Sequence, residues 1–192
     1  MKTMSESRFF RSLLSAAQAF SQSRSKSFAY SQGALQHSKR AIFSLHRDNV
    51  KEARREIREA ERDLKKLRSM WKRESKLRYE GSIRAAMEEY LEALMYYTFV
   101  TKGTIEITTP FEPEYDETIG ALADVTGELV RLSVAAATQG DKARVDTVHA
   151  VVEHVVEELL RCNLTGYLRQ KFDDAKRNLH RVEDIRFSVR TQ

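Results

Sequence analysis

Both prolines of this chain, Pro110 and Pro113, stand within one short stretch, so no proline interrupts the long segments on either side. Proline is the residue least tolerated inside a helix, and glycine, with 7 copies in 192 residues, is the next. The rest is rich in Ala, Glu, Lys, Arg and Leu, all good helix formers. Such a chain is expected to be all-α, a single-domain helical bundle over residues 1–192 with about six to seven helices and long ones at the N-terminal end. The stretch from Lys102 to Pro113 is the one long loop. Its β-branched residues, such as Thr104, Ile105 and Ile107, allow a short extended segment there.

The apolar spacing supplies the element boundaries. Glu6 to His46 reads as a first helix, with serines between Ser21 and Ser31 weakening it and Gly33 marking a kink. Val50, Ala53, Ile57, Ala60, Leu64, Leu67 and Trp71 recur at steps of three and four, the spacing of a coiled-coil seam, after a cap at Asp48 or Asn49. Gly81 and Ser82 separate this helix from a third, about Ile83 to Thr101. A fourth runs from about Tyr115 to Thr138. Gly140 suits the left-handed position that ends it, and Asp141 caps a fifth. After a turn at Asn163 to Gly166, a last helix reaches about Ser188.

Charge placement singles out the third and fourth helices. Between Ala85 and Thr101 the only charged residues are Glu88, Glu89 and Glu92, and between Thr118 and Gln139 they are Asp124, Glu128 and Arg131. At ~100° per residue, Glu89 and Glu92 share one face, Asp124, Glu128 and Arg131 share another, and Glu88 falls off the first by about one step. Helices this apolar are expected to be buried, and a buried acid needs a partner, a proton or a metal. Two such helices side by side would offer four oxygen-donor groups, Glu89, Glu92, Asp124 and Glu128. A hard divalent cation such as Mg²⁺ takes that donor set, with Mn²⁺ as a substitute. The plainer alternative is a solvated acidic face in which Glu128 pairs with Arg131. Spacing alone leaves both open.

The single cysteine, Cys162, excludes an intramolecular disulfide and any cysteine-rich zinc site, and reads as a small apolar filler. No apolar run approaches the ~20 residues of a membrane span, and no signal-like apolar core opens the chain, so a soluble cytoplasmic protein without a membrane partner is the expectation. The net charge of +5 permits a nucleic-acid partner without demanding one. His149 with Asp146 and Glu153 has metal-like helical spacing, which a solvent-facing helix explains as well.

Three separated segments resemble the translin and translin-associated factor X family. Ser38-Lys39-Arg40-Ala41-Ile42-Phe43-Ser44-Leu45-His46-Arg47 is similar to the family's SKR-x-IF-x-LHR stretch. Glu89-Tyr90-Leu91-Glu92-Ala93 resembles the EY-x-EA segment of the factor X branch. Gly120-Ala121-Leu122-Ala123-Asp124-Val125-Thr126-Gly127-Glu128-Leu129, with Arg131 and Gly140-Asp141 beyond, looks like the G-x-AD-x-TGEL-x-R…GD block. Leu168 to Asp173 and Arg181-Val182-Glu183 resemble the translin branch instead. The resemblance implies an all-helical, translin-like subunit of a closed homo-oligomer, an octamer, that binds single-stranded RNA and also single-stranded DNA. It further implies a Mg²⁺-dependent endoribonuclease whose catalytic and metal-holding acids are Glu89, Glu92, Asp124 and Glu128. A non-catalytic, translin-like binding shell is the alternative, and a ferritin-like di-metal bundle is disfavoured because Glu92 stands where that motif needs histidine.

Candidate nucleic-acid contacts are Lys72, Arg73, Lys76 and Arg78, clustered just before the third helix, with Trp71 or Tyr79 beside them to stack bases. Arg84 and Arg131 lie near the acids in sequence and are candidates for the scissile phosphate. Arg54, Arg55 and Arg58 read as solvated partners of Glu52, Glu56 and Glu59. His46 reads as structural.

Overall fold

The computed structural model describes residues 2–191, with side chains for residues 7–191. Six α-helices follow one another: α1 (Lys2–Leu45), α2 (Val50–Trp71), α3 (Gly81–Lys102), α4 (Tyr115–Thr138), α5 (Lys142–Leu160) and α6 (Gly166–Thr191). A short 3₁₀ turn, Ser75–Tyr79, bridges α2 and α3. Among the described residues there is no strand. The 103–114 segment is therefore an irregular strap rather than extended structure, pinned where Phe111 packs edge-on against Tyr90 at 5.8 Å.

The serines and Gly33 do not break α1, which runs unbroken for 44 residues. Ser27, Ser31 and Ser38 bond back to the carbonyls of Arg24, Phe28 and Ala34, each at 2.9 Å. Together with Ala34 and Ala41 they form a stripe of small buried residues against which other helices lie close. Gly33 serves the same approach, because a Cβ there would collide with the Asp63 carboxylate of α2. On α2 the seam faces inward as the spacing predicts, with Ala53, Ala60, Leu64 and Leu67 fully buried. Asn49 caps it, accepting from the Glu52 amide at 3.1 Å.

Helix α1 packs on α2 and α3, and α4 packs on α3, α5 and α6, so α3 joins the two halves. That position explains its burial on nearly every face, from Ile83 to Phe99. Gly140 has φ 74° and Asp141 caps α5 through the Arg144 amide at 2.9 Å, both as expected from sequence. The tight α4–α5 turn sends α5 back antiparallel and lets α6 return across α4. The first turns of α6 thereby reach the α3–α4 seam, where the acids are.

Candidate functional site

Glu92 lies at the centre, on the buried α3 face, 8% exposed and with no side-chain partner among the described residues. Burial pushes its carboxyl well above the usual range, and Glu89, Asp124 and Glu128 push it further, opposed by Lys171. The four acids chosen from sequence are thus brought into one electrostatic neighbourhood. Burial also raises Glu89 and Asp124, despite the ammonium beside each.

Three of the four carboxylates have a partner. Glu89 faces Lys39 of α1, Nζ to Oε2 3.4 Å. Asp124 is in direct contact with Lys171 of α6. Glu128 meets His46 Nε2 rather than Arg131, so the intrahelical ion pair is not formed. Behind His46, the buried Tyr96 hydroxyl lies 3.0 Å from Nδ1. Tyr96 donates to Nδ1, because the Glu128 carboxylate can only accept and so draws Nε2–H. That fixes the tautomer. His46 is structural in the sense that it aims a site carboxylate.

Glu88, displaced from the face of Glu89 by its step along the helix, nonetheless belongs to the site. It is 6% exposed and turns towards α4 and α6, where Lys171 Nζ lies 2.8 Å and the Tyr167 hydroxyl 2.6 Å from its Oε1. Gly120 makes the room, since a Cβ there would stand 2.6–2.9 Å from the Glu88 carboxyl atoms. Lys171 and Tyr167 are functional-looking residues that the sequence reading missed. Lys171 lies in the family-like Leu168–Asp173 segment, whereas Tyr167 falls just before it and carries no signal in the sequence.

The basic candidates divide. Lys72, Arg73 and Lys76 are exposed. Arg78 is not a free cation: it makes a bidentate pair with the buried Glu117, both bonds 2.7 Å, and stacks on Trp71. Arg84 pairs with Asp116 at 2.9 Å and lies 5.2 Å from the Tyr167 ring centre, on the rim of the acid site. Arg131 is exposed on the Glu128 side. Trp71 is partly buried against the core, while Tyr79 is 83% exposed.

Among the described residues, no three histidine, cysteine, aspartate or glutamate side chains stand close enough to ligate one ion as placed. In donor chemistry the acids fit a hard cation, and the unpartnered, buried Glu92 calls for either a proton or such a charge. Their present rotamers are committed to Lys39, Lys171 and His46. In the His149 group, Asp146 is taken by Arg186 and Arg190, and His149 sits against Arg186. Glu56 is buried on His37 at 2.7 Å rather than solvated, and Cys162 is exposed rather than filling the core.

The family model described as Translin family matches residues 29–191. The chain belongs to the translin family. Solved structures agree with this translin assignment at the level of fold. The crystal structure of AfC3PO superposes with a TM-score of 0.86 at 21% identity, covering 95% of this chain and 97% of that one. The structure of an AfC3PO–duplex RNA complex gives 0.86 at 20% identity, covering 95% and 96%. Apo-NeC3PO gives 0.84 at 19%, covering 94% and 96%. No curated protein matches the chain. No described helix is long and apolar enough to cross a membrane.

Proposed function

We propose that this translin-family chain is a metal-dependent endoribonuclease acting on single-stranded RNA as a closed homo-octamer in the cytoplasm. The observation that carries the reading is Glu92, a buried carboxyl without a partner, facing three further acids from two helices. A translin-like fold also occurs in AfC3PO, a protein solved in complex with duplex RNA. Glu89, Glu92, Asp124 and Glu128 would hold Mg²⁺, or Mn²⁺ in its place. Bound there, the ion supplies an activated water and neutralises charge on the phosphodiester. The chain's own part is to aim the acids: His46, fixed by Tyr96, orients Glu128, and Lys39 orients Glu89. Arg84, beside Tyr167, and the exposed Arg131, three residues after Glu128, would meet a phosphate backbone there. Lys72, Arg73 and Lys76 extend a sequence-independent track for it, with Tyr79 exposed to stack a base.

One observation favours the other reading, a binding shell without catalysis. Lys171 already neutralises Asp124, so the site is partly balanced without any ion. Cleavage of labelled single-stranded and duplex RNA, with Mg²⁺, Mn²⁺ or a chelator, separates the two. The nuclease reading expects metal-dependent products from the parent and their loss in Glu89→Gln and Asp124→Asn variants of unchanged sedimentation. RNA retention with no cleavage at any metal concentration would leave the shell.

A further inference from the structure

Lys171 is held by more than the acid it neutralises. Its ammonium touches Asp124 of α4 and lies 2.8 Å from Glu88 of α3. One turn earlier on α6, Tyr167 places its hydroxyl 2.6 Å from the same Glu88 oxygen and its ring centre 5.1 Å from the Lys171 ammonium. The Lys171 side chain is only 19% exposed, too enclosed for an ordinary solvated lysine. Its second acceptor, Glu88, stands outside the set of four acids and sits in a notch that Gly120 leaves in α4. Lysine's long stem and rotatable ammonium let the charge shift between two acceptors without moving a helix.

We propose that Lys171 is a resident counter-cation of the acid site, occupying the Asp124 position until a divalent ion displaces it onto Glu88. The proposal rests on the metal-site reading above and adds a control to it. An ammonium bound by Asp124 removes one ligand and adds a repelling unit charge, so it raises the concentration at which the ion enters. Glu88 is the berth that keeps the displaced ammonium paired, which a buried charge requires. A merely structural ion pair, stapling α6 to α3 and α4, would have no such effect on ion affinity.

The test is Mn²⁺ binding to the chelator-stripped, full-length oligomer, read from the free Mn²⁺ electron paramagnetic resonance signal. Lys171→Gln is expected to bind Mn²⁺ about tenfold or more tightly than the parent, and Lys171→Arg, which keeps the charge, to stay near the parent. The rise in melting temperature on adding Mn²⁺ is expected to be larger for Lys171→Gln as well. Equal or weaker binding by Lys171→Gln, with the parent binding, overturns the counter-cation role and leaves the metal site standing. No binding by either protein overturns both. Should the variant fail to fold, diffraction from the parent with Mn²⁺ decides. Manganese on Asp124 with Nζ turned to Glu88 alone supports the proposal, and Nζ still on Asp124 defeats it.

Discussion

Glu92 concentrates the physical tension of this protein in one residue. Its carboxyl is buried among three other acids, and every nearby influence except Lys171 disfavours its charge. A carboxyl whose folded pKa lies above its unfolded value binds more protons folded than unfolded. Stability is therefore present at and below the unfolded pKa and is lost as pH rises towards the folded one. Glu89 and Asp124 are shifted in the same direction. In chelator, the parent should melt lower at pH 8 than at pH 5.5, and Glu92→Gln should flatten that slope and melt higher than the parent at pH 8. A gain of each 1 kcal/mol would appear as roughly 2–4 °C for a chain of this size. Thermal melts across pH check it, and a Glu92→Gln protein that melts lower than the parent at pH 8 would contradict the unpartnered charge. The acids themselves were legible from sequence because charge is rare on those two helices. Lys171 was not: it comes from 47 residues beyond Asp124, and helical periodicity carries no information about such a partner. Glu88 was misjudged for a related reason. A step of ~100° places a Cα well, but a three-bond side chain can swing towards a notch such as that at Gly120.

At the scale of elements, the 3₁₀ turn shows how a basic cluster can divide into contact and scaffold. Lys72, Arg73 and Lys76 face solvent, whereas Arg78 points inward and fastens the turn to the start of α4 through Glu117. Glu117 is 1% exposed and also closes the α4 capping box, accepting from the Glu114 amide at 2.9 Å. Removing the guanidinium would leave a buried carboxylate uncompensated, a loss of about 3–5 kcal/mol. Arg78→Ala should therefore lower denaturant stability by that order, and Arg78→Lys should recover only part, lacking the planar fork. Urea unfolding of both variants measures this. A surface-like change below about 0.5 kcal/mol would return Arg78 to the nucleic-acid track. From sequence, Arg78 and Lys76 are indistinguishable, because the partner that separates them is 39 residues away. The continuity of α1 was hidden for another reason. Serine lowers helix propensity on average, but the buried serines here satisfy their hydroxyls on the preceding turn and let neighbouring helices approach.

Over the whole molecule, charge is sorted rather than balanced. The chain's net +5 is spread over several helices, with exposed lysines and arginines on α2 and the turn after it, while the acids gather at the α3–α4 seam under Lys39 and Lys171. A polyanion would meet exposed basic side chains outside the acid site and Arg84 at its rim. The division makes binding and cleavage separable by mutation. Each phosphate contact on a single strand contributes about 0.7 to the slope of log affinity against log salt, so losing three should reduce it by about 2. Lys72→Gln, Arg73→Gln and Lys76→Gln combined should therefore weaken single-stranded RNA binding most at low salt and shallow the salt dependence by that amount. Filter binding between about 50 and 300 mM salt reads the effect. Melting temperature should stay within about 2 °C of the parent, since none of the three is buried. An unchanged slope would place the phosphate track elsewhere on α2, with the exposed Arg54 and Arg58 as the next residues to test. Saturating RNA should still be cut by the triple variant at the parental rate if the acids perform the chemistry, because the contacts it loses act only in capture.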